Sequence, residues 1–202
     1  MSPPDLERQL AFLREIDRLK SIVRLTPLID RSRRENSAEH SWHLAMYALI
    51  LAEHAAGSID ILRVIKMLLI HDIVEIDAGD VPFHAPETHA GQQAREKLAA
   101  ERLFGLLPPA QASEFRDLWH EFEAAASDDA KFAKALDRFQ PMIHNAATDG
   151  GTWVECAVTL DQIKTRCQPP IESGAPALWS VAGNLAAAHF EKLGDEKPEQ
   201  SS

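Results

Sequence analysis

His71, Asp72 and Glu75 close the apolar run VIKMLLI within the segment IHDIVEIDAGD. On a helix, His71 and Glu75 stand one turn apart on the same face, with Asp72 about 100° round from His71. Three polar side chains therefore converge at the end of an otherwise buried helix, where charge is costly unless it is paired or bound to a metal. Two chemistries fit the segment alone: a helix-end salt-bridge cluster beside Gly79, or part of a cation site. His40 moves the balance toward the cation, because it supplies a second imidazole, flanked by Glu39 and followed one turn on by His43. Neutral imidazoles and carboxylates without a thiolate suit one divalent ion (Mn, Co, Mg, Fe or Zn) that keeps positions open for water and substrate. A fourth ligand has to come from elsewhere in the chain.

The elements that must position these residues read as helices. Glycine is scarce, with nine in 202 residues, and apolar residues recur at three- and four-residue steps without an alternating β-branched run. The spacing predicts a first helix over 5–25, then a loop through Pro27 and the basic residues Arg31, Arg33 and Arg34. Asn36 with Glu39 is a variant capping box, so a second helix starts there and runs to about Ala56, stopped by Gly57. A third helix spans 59–76 and ends at Gly79, before a loop through Pro82 and Pro86. Further helices are expected over 90–105, 109–125, 128–147, 152–167 and 175–192. The whole is an all-α, single-domain multi-helix bundle over 1–192, with 193–202 as a frayed tail. In the helix over 128–147, Phe132, Leu136, Phe139 and Ile143 form the buried stripe and put Asp137 at its edge. Pro141 removes the N–H that would bond the Asp137 carbonyl, so a kink beside the site is expected.

Together, ENSAEHSWH, HDIVEIDAGD, LWHEFE and AKFAKALDRFQPM make the sequence resemble the HD-domain phosphohydrolases, most of all their 5'-deoxynucleotidase (YfbR-like) branch, over about 13–147. The resemblance implies an HD-domain bundle in which His40, His71, Asp72 and Asp137 hold the metal. It makes Glu75 the catalytic acidic residue and Asp80 a second acidic active-site residue. Arg33, and with it Arg24, falls at positions associated with substrate phosphate. The Arg-Trp pair of the bacterial nucleotidases reads Arg24-Leu25 here. That Trp contributes to the sugar pocket of the resembled enzymes, so deoxyribose preference does not carry over with the rest. Trp42, beside His40, is a further candidate for the pocket lining.

The function this implies is metal-dependent hydrolysis of a phosphate monoester, with a (deoxy)nucleoside 5'-monophosphate as substrate. A metal would polarise a phosphoryl oxygen and acidify water, Glu75 or Asp80 would handle protons, and arginine would pair with the phosphate. The alternatives are an HD phosphohydrolase acting on a cyclic nucleotide, a nucleoside triphosphate or a non-nucleotide phosphate, and a non-catalytic helical binding module that keeps the metal as a structural element. Among the remaining candidates, His43 reads as a packing histidine or a donor to a ligand, and His84 and His89 as loop residues or substrate contacts. His54, His120 and His189 read as surface or core histidines. Asp128 and Asp129 read as a helix start beside Ser127, and Trp119, Phe122 and Trp179 as packing aromatics.

Composition bounds the partners. The formal net charge is −10, from 21 Lys+Arg against 31 Asp+Glu. Such a surplus disfavours a nucleic-acid polymer or an anionic membrane as partner. No apolar run approaches bilayer length and MSPPDLERQL has no signal-like apolar region, so the chain reads as cytoplasmic. Cys156 and Cys167 read as packing residues. The resemblance suggests a homodimer. Residues 14–34 hold seven basic and three acidic side chains, a net of +4, which leaves −14 for the rest; the basic stretch before His40 is the expected mouth of a phosphate site.

Overall fold

In the computed structural model, residues 3–81 and 89–195 are described. The order is α1 (Pro3–Ile16), a 3-10 turn (Asp17–Ser21), β1 (Val23–Pro27), β2 (Arg34–Asn36), α2 (Ser37–Leu51), α3 (Ile61–Ile70), a 3-10 turn (His71–Val74) and α4 (Glu75–Ala78). It continues with α5 (His89–Phe104), α6 (Pro109–Ala124), α7 (Asp128–Ala147), α8 (Gly151–Glu155), α9 (Leu160–Gly174) and α10 (Pro176–Asp195). His84 and the side chain of His89 lie outside the described residues, as do residues 196–202 of the expected tail; residues 193–195 close α10.

The helical bundle is as expected, with three departures in its elements. The end of the expected first helix is instead the strand β1, paired antiparallel with β2 in the register Val23↔Asn36 and Pro27↔Arg34. The strand escapes a hydrophobic-period reading because its polarity is inverted. Arg24 and Thr26 turn inward, while Val23 and Leu25 are exposed. Polar residues can face inward here because the interior they meet is charged. The ribbon is closed by hydrogen bonds from Leu28 N to Arg33 O and from Arg31 N to Leu28 O, both 2.9 Å.

α2 starts as its sequence dictates. The Asn36 side chain accepts from Glu39 N at 3.0 Å, and Glu39 Oε2 accepts from Asn36 N at 3.1 Å. The expected third helix is broken into α3, the 3-10 turn and α4, and Gly79 ends it with φ 78° and ψ 152°, a positive-φ extended backbone that glycine adopts without strain. The expected helix over 152–167 is two helices, α8 and α9. Ala157 at φ 49° separates them, and a Thr159–Gln162 capping box starts the second.

α7 is the central element, packed against α2, α3, α6, α9 and α10. Its buried face, with Phe132 and Leu136 wholly enclosed, meets Leu44 of α2, Met67 and Leu68 of α3 and Phe122 of α6 in one core. α7 runs as one helix across Pro141. Among the described residues, no helix is long and apolar enough to cross a membrane.

Candidate metal centre

Three elements deliver the four expected ligands to one place. The capped first turn of α2 carries His40, the 3-10 turn after α3 carries His71 and Asp72, and the middle of α7 carries Asp137. Ligand atoms of His40, His71 and Asp72 lie within 4.8 Å of one another. Asp137 Oδ1 lies 3.2 Å from His40 Nε2 and 3.7 Å from His71 Nε2. All four residues are buried.

The arrangement fits a cation on electrostatic grounds. His71 Nδ1 lies 2.9 Å from the Leu68 carbonyl, a contact that makes Nδ1 the protonated nitrogen and leaves Nε2 with a lone pair. That Nε2 is buried, has no hydrogen-bond partner and faces Asp72 Oδ1 at 2.9 Å. A lone pair held against two carboxylates needs a positive charge between them, either a proton or a metal ion. Burial by itself would lower the His71 pKa, but the Asp72 and Asp137 carboxylates override it and raise it. Burial would likewise raise Asp72 and Asp137, yet neighbouring positive charge holds both below the usual carboxylate range.

Glu75 and Asp80 line the same cavity, which has a volume of about 720 Å³. Glu75 is pushed well above an ordinary carboxylate, first by burial and then by the Asp72 charge, and its Oε2 accepts from Ser37 Oγ at 2.6 Å. Asp80 is raised as well, chiefly by burial. Arg24 projects from β1 into the cavity, with Nη1 3.0 Å from Asp72 Oδ2 and 3.9 Å from Glu75 Oε1. Although burial opposes its charge, Asp72, Asp80 and Glu75 favour the charged form more strongly.

The other two expected substrate contacts stand elsewhere. Arg33 is exposed and held by Glu39 at 2.6 Å. With Arg31 and Arg34 it lines a separate hollow of about 260 Å³ beside Thr148 and Gly151. Trp42 is 62% exposed, stacks on His43 and does not line the cavity. The basic stretch is not a charged mouth. Arg18, Lys20, Arg31, Arg33 and Arg34 each pair with a carboxylate on the surface, and Arg24 alone of the seven basic residues lines the cavity. The cavity's further cations, Lys134, Arg138 and Arg166, come from α7 and α9, as do Pro141 and Cys167.

Sequence reasoning missed Ser37 and Glu35. Ser37 is the first residue of α2, one turn before His40, which was a readable spacing; Glu35 gave no periodic clue. His43 packs edge-on against Tyr47 and lies 3.3 Å from Gln140. Asp128 and Asp129 do begin a helix capped by Ser127, and Phe122 packs on the His71 ring at 4.8 Å.

A family model described as "HD domain" matches residues 16–179. The chain belongs to the HD domain family. HD domain relatives include the 5'-deoxynucleotidase HDDC2 of Homo sapiens, 30% identical over 136 residues that cover 66% of this chain and 65% of that protein. A 5'-deoxynucleotidase of Yersinia pestis is 27% identical and covers 79% of this chain and 85% of its own. Among solved structures, a protein described as a predicted metal-dependent phosphohydrolase from Magnetospirillum magnetotacticum MS-1 superposes with a TM-score of 0.89 at 50% identity, covering 93% of this chain and 94% of its own. The His-Asp step on the 3-10 turn and the separate His40 and Asp137 form the buried centre of this HD domain.

Proposed function

We propose that the chain is a metal-dependent phosphohydrolase that converts (deoxy)nucleoside 5'-monophosphates to nucleoside and phosphate, with His40, His71, Asp72 and Asp137 holding one divalent ion. The observation that carries the reading is the buried, unpartnered His71 Nε2 facing two carboxylates, in the same cavity as two carboxyls of raised pKa and a largely enclosed arginine. The nucleotide comes from the names of the relatives, as does the 5'-ester.

When bound, the ion supplies Lewis-acid polarisation of a phosphoryl oxygen and acidification of water. The protein's own groups do the rest. Arg24, fixed by Asp72, presents its guanidinium to the substrate phosphate in a geometry a lysine cannot copy. Glu75 is oriented by Ser37, and burial moves its pKa toward the working pH, where proton exchange is most effective. As the water oxygen bonds to phosphorus and the bond from phosphorus to the sugar oxygen breaks, Glu75 and Asp80 accept one proton from the water and return one to the departing oxygen. Leu25, half-exposed at the cavity edge, stands beside Arg24 in place of a Trp, so discrimination at the sugar rests on other walls.

Phosphate release from ribo- and deoxyribonucleoside 5'-monophosphates is the test, with Mn, Co or Mg and with chelator. Release that needs the metal is expected, and the ratio of deoxy to ribo turnover reads the sugar selectivity that Leu25 leaves open. Equal turnover of both sugars removes the deoxy preference and leaves the hydrolase, whereas no release from any member points to a binding module.

A further inference from the structure

Glu35, on β2, is 1% exposed and belongs to neither the ligand set nor the cavity lining. Its Oε1 lies 3.5 Å from His40 Nδ1 and 3.4 Å from Arg24 Nε. These three buried atoms, one acceptor and two donors, all lack any other hydrogen-bond partner. Each separation exceeds a normal hydrogen bond by only a few tenths of an ångström. No competing partner stands nearby, so a small inward shift of one oxygen closes both contacts. The second oxygen is anchored separately, accepting from Gln140 Nε2 at 3.1 Å on α7.

Resting on the function proposed above, we infer that Glu35 is a positioning residue that sets the metal ligand His40 and the phosphate-facing Arg24 in register through one shared carboxylate oxygen. The opposite nitrogen of His40 faces Asp137, and the far end of Arg24 reaches Asp72. Glu35 therefore stands behind both side chains and aims them at the same centre. A carboxylate on Nδ1–H fixes the tautomer of a ligating histidine and makes its other nitrogen a better donor to metal. The same oxygen on Nε–H fixes the plane of the guanidinium.

The experiment titrates metal-stripped wild type, Glu35→Gln and Glu35→Ala with Mn²⁺ by calorimetry, and measures KM and kcat for phosphate release at saturating Mn²⁺. Thermal unfolding of each metal-free protein verifies folding. Glu35→Ala is expected to weaken Mn²⁺ binding by roughly 10- to 100-fold, the range for groups that orient a metal ligand, and to raise KM. Glu35→Gln keeps an oxygen for both donors, and Gln140, whose Oε1 has no partner, can turn its amide to meet the new N–H at the expense of its contacts with His43 and His144. It folds, recovers part of that loss, and shows a smaller rise in KM. Should Glu35→Ala fail to fold, Glu35→Gln decides alone, and Mn²⁺ affinity and KM equal to wild type overturn the role. Equal loss in the two folded variants overturns the shared oxygen. Wild type that binds Mn²⁺ but releases no phosphate defeats the proposed function and leaves the Glu35 titration readable; wild type that binds no metal overturns both.

Discussion

Asp72 meets three partners at once: the His71 imidazole at 2.9 Å, the Arg24 guanidinium at 3.0 Å and the Glu75 carboxyl whose pKa its charge raises. Glu75 accepts from Ser37 and stands 3.9 Å from the Arg24 fork, with no ion pair to His40 or His71. The two acids should therefore fail in different ways. Asp72→Ala removes a proposed ligand and the nearest counter-charge of both Arg24 and His71, so metal content measured by atomic emission is expected to fall to background. Glu75→Gln keeps the Ser37 hydrogen bond and the ligand set, and is expected to retain stoichiometric metal while turnover falls by about 10²- to 10⁴-fold, the usual contribution of a proton-transferring group. Loss of metal from Glu75→Gln would make it a ligand instead.

At the scale of elements, the first turn of α2 links fold and site. The Asn36–Glu39 capping box fixes where the helix starts, and that start places Ser37 and His40 one turn apart on the side facing α3 and α7. Asn36→Ala removes the side-chain acceptor for Glu39 N, and a loss of about 1 kcal/mol is expected from denaturant unfolding of the metal-free protein. An unchanged midpoint would mean that the ribbon, through Ser37 N to Ile22 O at 2.9 Å, anchors the turn without the cap. This box was legible from two residues. The ribbon itself was not, because the inward side chains of β1 are polar and its outward ones apolar, the reverse of the pattern that marks a half-buried strand. The break at Ile70 was equally hidden, since a 3-10 turn and an α-turn bury the same apolar positions over so short a span.

Across the whole molecule, charge is arranged differently from its order along the chain. The net +4 of residues 14–34 is spent in ion pairs with acids near and distant in sequence, such as Arg31 with Asp149 and Arg34 with Glu155. What remains is an acidic body around a cavity whose Arg24 is already flanked by carboxylates. An anionic nucleotide is therefore repelled at long range and attracted only at contact. Raising monovalent salt from about 0.01 M to about 0.1 M shortens the screening length from roughly 30 Å to 10 Å. It should weaken the repulsion more than the buried contact, so KM for a nucleoside monophosphate is expected to fall. A rise in KM would mean that unpaired surface cations steer the substrate.

The helical class and the capped start of α2 can be read from the chain alone, because residue type and helical spacing are local properties; spacing pointed to His71, Asp72 and His40, whereas Asp137 joined the expected centre only through the family resemblance. Only the tertiary structure decided which polar groups serve that centre. Arg24 and Arg33 are equivalent in sequence, yet one is turned inward on a strand and the other is tied to Glu39 outside. Glu35 and Ser37, both wholly enclosed, gained their partners only when β2 and α2 were packed against α7 and α4. Contacts between residues 38 and 105 positions apart depend on how elements dock, and no local periodicity encodes that docking.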